Sequence, residues 1–127
     1  MHGNPMDELK ASDLKTFVGA RDFGLSKAFY LAAGFEIHWE SEKLIEFGVS
    51  GCQFLLQDYY EKNWCENMMM HLTVEDVAGW HSRIVQVLAH RKYGVAKTQA
   101  PQREERGALV AYFWDPSGVL WHLARFD

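Results

Sequence analysis

A single imidazole, His122, stands in an otherwise apolar stretch where the sequence is best suited to chemistry. The preceding Asp115-Pro116-Ser117-Gly118 is typical of a tight turn, because Pro presets φ at the second turn position and Gly accepts the exit conformation. The runs on either side should therefore pair as a hairpin. Alternation along the returning strand puts His122 on one face with Leu120 and Ala124. There the imidazole can contact a ligand, or simply hydrogen-bond across the strands. A role in proton transfer would also need a tuned pKa and a placed substrate.

Two halves of the chain repeat one order of elements. In the first half the pattern predicts a strand over Leu14–Ala20, a helix between a capping Asp22 and a terminating Gly34, and strands over Phe35–Glu40, Leu44–Val49 and Cys52–Asp58. In the second half it predicts a strand over Met68–Val74, a helix between Asp76 and Gly94, and strands over Val95–Ala100, Ala108–Trp114 and Val119–Phe126. Tyr59–Asn67 is expected to be a polar and aromatic connection, and residues 1–13 a flexible lead-in.

This repeat predicts the α+β class, with two βαβββ modules at about residues 14–60 and 68–126 inside a single domain over residues 14–127. Each module would be a mixed four-stranded sheet with one helix on one face. The other, concave face is left to be covered by the other module or by a second chain. A cleft on that face is where we expect a small molecule to bind.

Composition restricts the class of protein. The chain has 127 residues, 48% of them hydrophobic and 14% aromatic, which is typical of one soluble globular domain. It contains no run of about 18 apolar residues and no charged-then-apolar leader, so we expect no membrane span and a cytoplasmic location. Cys52 and Cys65 lack metal-type spacing, which agrees with a reducing compartment. A net charge of −4 argues against a nucleic-acid partner.

Acidic residues are concentrated in one stretch of the sequence. Between residues 36 and 66 only Lys43 and Lys62 oppose seven acids, namely Glu36, Glu40, Glu42, Glu46, Asp58, Glu61 and Glu66. One interpretation is an ordinary solvated surface with charges of both signs. The other is an acidic cleft that attracts a cationic ligand.

The combination of motifs resembles the vicinal-oxygen-chelate superfamily, which includes glyoxalases, bleomycin-resistance proteins and extradiol dioxygenases. The resemblance extends over residues 14–126. It is carried by Ala20-Arg21-Asp22 and Val74-Glu75-Asp76 at the strand-to-helix boundaries, by the Phe29-Tyr30 and Gly34-Phe35 spacing, and by the Asp115–Gly118 turn. It implies paired βαβββ modules, assembled as a homodimer with two clefts. Val119 departs from the Asn that usually follows the turn, and the Tyr59–Asn67 loop is this chain's own.

The resemblance also implies where a metal would be held in metal-dependent relatives. Carried over by register, those four positions hold Lys15, Leu55, Met69 and His122, and a catalytic divalent metal needs about three His, carboxylate or thiolate ligands. We therefore expect no metal, no other cofactor and no catalytic residue. The alternative is a metal-dependent lyase, isomerase or dioxygenase, in which His71 and His122 join an acid such as Asp58 or Glu46.

Function is expected to follow the bleomycin-resistance branch, in which a metal-free cleft binds and sequesters a small planar or cationic organic molecule. Aromatic faces stack on planar rings and attract cations. A third possibility is a dimeric scaffold with no ligand. The residues predicted to face the cleft and contact the ligand, together with Thr73, are Phe17, Gln53, Leu55, Gln57, Met69, His71, Val110, Tyr112, Trp114 and His122.

Overall fold

The computed structural model describes residues 9–105 and 107–127. Its first half contains strand β1 (Phe17–Gly19), helix α1 (Phe23–Ala33) and strands β2 (Glu36–Glu40), β3 (Leu44–Val49) and β4 (Cys52–Gln57). A short helix, α2 (Lys62–Asn67), leads to the second half, with strand β5 (Met69–Thr73), helix α3 (Val77–His90) and strands β6 (Lys97–Arg103), β7 (Leu109–Trp114) and β8 (Leu120–Arg125).

The two halves form two sheets of the same topology. The first has the strand order β1-β4-β3-β2 and the second β5-β8-β7-β6. In each, the outer pair is parallel, β1 with β4 and β5 with β8, and the remaining pairs are antiparallel. The predicted α+β class with two mixed four-stranded sheets is therefore confirmed.

Helix capping follows the sequence closely. The side chain of Asp22 accepts a hydrogen bond from the Leu25 N–H at 3.0 Å, and that of Asp76 accepts one from the Gly79 N–H at 2.8 Å. Gly34 ends α1 with φ of 104°, which costs a glycine nothing. Among the described residues no helix is long and apolar enough to cross a membrane, and the longest, α3, has 14 residues.

Several boundaries differ from the prediction. Part of the expected connection is helix α2, whose first turn is capped by the Glu61 side chain accepting from the Asn63 N–H at 3.2 Å. Helix α3 ends at His90 rather than near Gly94. Gly94 has φ of 54° and passes so close to the Pro116 carbonyl that a Cβ would lie 2.6 Å from its oxygen. The glycine is therefore needed for a close chain crossing and not as the helix stop.

The ends of two strands also differ. Strand β1 spans only three residues because Leu14 is 92% exposed and pairing with β4 begins at Thr16, whose carbonyl accepts the Leu55 N–H at 2.9 Å. Strand β6 runs to Arg103 through an irregularity between Gln99 and Gln102. Residues 9–13 form no helix or strand, and residues 1–8 of the predicted flexible lead-in lie outside the described residues.

One hydrophobic core joins the two halves. Phe54 of the first sheet contacts Trp121 of the second at a ring-centroid distance of 5.2 Å, and Phe29 of α1 lies 5.8 Å from Phe113. The helix-covered faces of both sheets therefore share the same interior. The opposite faces stay uncovered within one chain, as shown by Phe17 and Met69, which are 45% and 65% exposed. We call these uncovered faces the first and second open face.

Candidate functional site

The second open face is built by alternate residues of three neighbouring strands. His122 of β8 lies between His71 of β5 and Tyr112 of β7, both directly opposite it in the strand register. Trp114 lies one step further along, opposite Leu120. Because strand side chains alternate, the intervening residues point into the core and leave this face to aromatic and imidazole rings.

His122 is the centre of this cluster. Its ring lies 4.9 Å from the Tyr112 ring in an edge-to-face arrangement and 6.0 Å from the His71 ring in a stacked one. Its Nε2 atom is buried, yet has no hydrogen-bond partner among the described residues. Buried polar atoms are nearly always paired, so an unpaired one marks a position where a further group belongs.

Electrostatics favour a neutral imidazole at this position. Burial holds the pKa of His122 below its ordinary value of 6.5 and the neighbouring His71 acts in the same direction, whereas Glu104 opposes both. A neutral imidazole has one donor and one acceptor nitrogen. It can therefore hydrogen-bond a ligand of either polarity without repelling a positive charge.

The rest of the face is fixed by polar contacts at its edge. The Tyr112 hydroxyl donates to Glu104 Oε1 at 2.6 Å, which raises the pKa of that phenol. The Lys97 ammonium lies 4.6 Å from the centre of the Trp114 ring. Phe126 stacks on His71 at 5.9 Å. These contacts hold the rings in place while leaving part of the face open.

The first open face has a different chemistry. Glu46 pairs there with Lys15 at 3.3 Å and with His38 Nδ1 at 3.0 Å, and Lys15 also pairs with Asp13. Its charged groups are thus already satisfied by one another.

The predicted ligand residues lie on both open faces. The first carries Phe17, Gln53, Leu55 and Gln57. The second carries Met69, His71, Thr73, Val110, Tyr112, Trp114 and His122. Within one chain the structure brings Gln53 and His71 together, since both line a cavity of about 290 Å³ between the sheets. Val110 is buried in a small cluster with Ala108 and Ala124, so its side chain packs within the protein.

The register of the parallel strands defines which residues lie beside the positions carried over for metal ligands. His71, not Met69, lies opposite His122, and Phe17, not Lys15, lies opposite Leu55. A helix and two strands separate the two parallel strands of each pair, so no tight turn fixes their register in the sequence. No group of three His, Cys, Asp or Glu side chains within residues 9–105 and 107–127 is arranged to hold a metal ion.

The acidic residues between 36 and 66 do not gather on one face. Glu40 pairs with Lys27 of α1 at 2.7 Å, and Glu66 pairs with Lys62 at 3.9 Å. Glu61 caps α2, while Glu46 belongs to the ion pairs of the first open face. These four acids therefore lie on different elements and do not form one acidic cleft within the chain.

The turn that precedes β8 is held by hydrogen bonds to a buried carboxylate. Asp115 is fully buried, and its Oδ1 accepts the N–H groups of Ser117 at 2.8 Å and Val119 at 3.0 Å. Its Oδ2 accepts the Tyr30 hydroxyl at 2.7 Å, and that hydroxyl in turn accepts the Trp121 Nε1–H at 3.0 Å. Burial raises the pKa of Asp115 to about 6 despite these hydrogen bonds. The network fixes the strand that carries His122.

Sequence reasoning missed Glu104, Lys97 and Phe126 as neighbours of the candidate site. The position of Lys97 could have been predicted from the hairpin, since it lies opposite Trp114 in the β6–β7 register. The contact between Glu104 and Tyr112 could not have been predicted, because the irregularity between Gln99 and Gln102 breaks the alternation of side chains before Glu104. Phe126 lies just beyond β8, where no pattern specifies direction.

Comparisons with known proteins bear on the fold. No protein-family model and no curated protein matches this sequence. Among solved structures, a bleomycin-binding protein complexed with bleomycin is 20% identical with a TM-score of 0.76, covering 92% of this chain and 100% of that one. A bleomycin resistance determinant encoded on transposon Tn5 is 21% identical with a TM-score of 0.77, covering 91% and 99%. A lactoylglutathione lyase from Agrobacterium tumefaciens is 17% identical with a TM-score of 0.67, covering 91% and 94%.

At identities this low the likeness establishes the fold. The chain has the paired βαβββ fold of bleomycin-binding and glyoxalase proteins, and the predicted fold is confirmed.

Proposed function

We propose that this chain, built on the fold of bleomycin-binding and glyoxalase proteins, binds and sequesters a small planar or cationic organic molecule on its second open face without a metal. The observation that carries the proposal is the buried His122 Nε2 with no partner among the described residues, set between two rings on an uncovered face. A bound molecule that hydrogen-bonds this nitrogen would remove the cost of leaving it unpaired.

The surrounding rings suit a flat ligand. Tyr112 and Trp114 lie 6.4 Å apart on adjacent positions of one face, and His71 lies on the other side of His122. Aromatic stacking and cation–π contacts contribute about 0.5 to 2 kcal/mol each. Two or three such contacts, with one hydrogen bond to His122, would give useful affinity without covalent chemistry.

We further propose that the chain works as a homodimer in which the open faces of two copies enclose the ligand. Within one chain the shared core directs both helix-covered faces inward, so neither open face covers the other. The exposed Phe17, Met69 and Trp39 supply apolar surface for an interface. The expected mass by sedimentation or light scattering is that of two chains, and a strictly monomeric protein would contradict this assembly.

A cytoplasmic location is proposed on the state of the cysteines. Cys52 and Cys65 are free, one exposed and the other buried. Free thiols persist in reducing compartments.

A thermal-shift assay with metal-free bleomycin tests the binding proposal. A ligand at 100 times its dissociation constant stabilises the folded protein by about 2.7 kcal/mol, which for this size corresponds to a rise in Tm on the order of 10 °C. The rise should shrink in His122→Ala and persist in Lys92→Gln, a surface control outside the face. A series of planar cations should be assayed in parallel. If no member of that set raises Tm, while Ni, Zn, Mn or Fe binds stoichiometrically, the metal-dependent alternative replaces this one.

A further inference from the structure

A second cavity, which adjoins the second open face at Trp114 and Lys97, lies at the outer end of the Asp115–Gly118 turn. Its volume is about 890 Å³, within the range of small-molecule sites. The floor is the turn itself, where Pro116 and Ser117 are buried. The remaining lining residues come from the β1–α1 junction, from the segment that includes α2, from the chain entering β6 and from the end of β7: Arg21, Tyr60, Lys62, Glu66, Val95, Lys97 and Trp114.

Positive charge outnumbers negative charge around this cavity. Among the described residues one carboxylate, that of Glu66, lines the cavity, and Lys62 pairs with it at 3.9 Å across one turn of α2. That leaves Arg21 and Lys97, neither of which forms an ion pair with a carboxylate in the described part of the chain. Both cations instead lie over aromatic rings, Arg21 at 5.9 Å from the centre of Tyr60 and Lys97 at 4.6 Å from the centre of Trp114.

This arrangement selects an anion. A cationic ligand would be repelled here by Arg21 and Lys97, which have no carboxylate partner among the described residues. A carboxylate, in contrast, matches the planar fork of Arg21 and the point charge of Lys97. The two rings and Val95 supply apolar contact for a flat group attached to it.

The cavity is also held in shape. The Arg21 backbone N–H donates to the buried Ser117 Oγ at 2.9 Å, and the Val95 N–H donates to the Pro116 carbonyl at 3.4 Å. The buried Asp115 carboxylate fixes the turn by accepting hydrogen bonds from the Ser117 and Val119 N–H groups. A site built on a fixed turn loses little entropy when a ligand enters.

We propose that this turn cavity is a binding site for a planar aromatic carboxylate, with Arg21 and Lys97 holding the anion and Tyr60 and Trp114 flanking the ring. It shares Trp114 with the site proposed at His122 but holds its ligand through Arg21 and Lys97, so it does not depend on His122.

Calorimetric titration with 2-naphthoate and with its uncharged analogue 2-naphthamide tests the proposal without any mutation. Naphthoate should bind about tenfold more tightly than naphthamide, because only the anion makes charge-assisted hydrogen bonds. Its affinity should fall as ionic strength rises. Equal binding of the two probes, or no binding of naphthoate, would overturn the proposal.

Variants then locate the site. Arg21→Gln combined with Lys97→Gln should remove the preference for naphthoate, whereas Lys43→Gln combined with Lys92→Gln, the same charge change on exposed lysines elsewhere, should leave it intact. His122→Ala should also leave the preference for naphthoate over naphthamide intact, which distinguishes this site from the one proposed at His122. Retained preference in the Arg21 and Lys97 double variant would refute the assignment. Circular dichroism and Tm confirm that each variant is folded, and the wild-type comparison stands if one is not.

Discussion

The two open faces share one strand topology and carry opposite chemistry. On the first, Glu46 is shared between Lys15 and His38, so its polar groups satisfy one another. On the second, the corresponding strand positions hold Tyr112 and His122, and the His122 Nε2 has no partner among the described residues. The comparison teaches that the fold provides two surfaces with the same strand order. Side chains at a few register positions decide which surface keeps an unpaired polar group that a ligand can contact.

The hairpin turns next to the two open faces differ in how far they are buried. The β3–β4 turn is exposed, with Ser50 and Gly51 at φ of 48° and 83°. The β7–β8 turn is built around the buried Asp115. The half that carries the candidate ligand groups is thus also the half whose turn is fixed by the core.

The largest expected effect tests that difference between the turns. Asp115→Ala should lower the free energy of unfolding by about 3 to 5 kcal/mol, because it leaves the Ser117 N–H, the Val119 N–H and the Tyr30 hydroxyl buried without their acceptor. Ser50→Ala should change it by about 1 kcal/mol at most. Urea unfolding measures both, and similar losses would show that the two turns are equivalent after all.

The second expected effect is a pH dependence confined to the buried turn. The pKa of Asp115 is raised by burial to about 6, whereas an unfolded aspartate titrates near 3.8. The proton is therefore held more tightly in the folded state, so this group contributes most below the unfolded value and the contribution is lost as pH rises through 6. The total change is about 3 kcal/mol. Unfolding of wild type and Asp115→Asn from pH 3.5 to 7 should show the difference shrinking with pH, and parallel curves would contradict it.

A third, smaller effect compares matched positions of the two faces. His122→Ala should weaken binding of a planar ligand about tenfold through loss of a hydrogen bond and a ring contact. Leu55→Ala, at the corresponding position of the first sheet, should weaken it only about two- to threefold. Equal losses, measured by calorimetry with the ligand found in the thermal-shift assay, would mean that both faces contribute alike.

The smallest effect concerns the titration of His122. Replacing His71 by Phe should raise the pKa of His122, because the electrostatic effect of His71 that lowers it is removed, and Glu104→Gln should lower it further. Burial, the main cause of the depression, stays in place in both variants. Proton NMR of the imidazole measures each shift, and opposite signs would show that these residues do not act on His122 as charges.

Local patterns made most of the fold predictable from sequence. Asp22 and Asp76 were predicted as helix caps because a cap depends on residues three positions apart. The β7–β8 hairpin was predicted because its turn lies within the pattern. Helix α2 was missed because its six residues are too few to show an apolar period.

The candidate site was predictable only in part, since it depends on contacts distant in sequence. That His122 and Tyr112 share a face followed from the hairpin, but the position of His71 opposite His122 depends on a parallel register across a helix. The ion pairs that occupy the first open face, and the partner that Tyr112 finds in Glu104, join residues whose sequence spacing gives no sign of contact.

The hydrogen bonds that link the two halves join residues that are synthesised at different times. Tyr30 is separated by 85 residues from Asp115 and by 91 from Trp121. At translation rates of about 5 to 20 residues per second, the Asp115 carboxylate, which accepts a hydrogen bond from the Tyr30 hydroxyl, is synthesised roughly 4 to 17 seconds after Tyr30. During that interval the first half, with Phe47 and Phe54 already made, has no second sheet to cover them. The core that the two halves share can therefore form only after β8 has been synthesised.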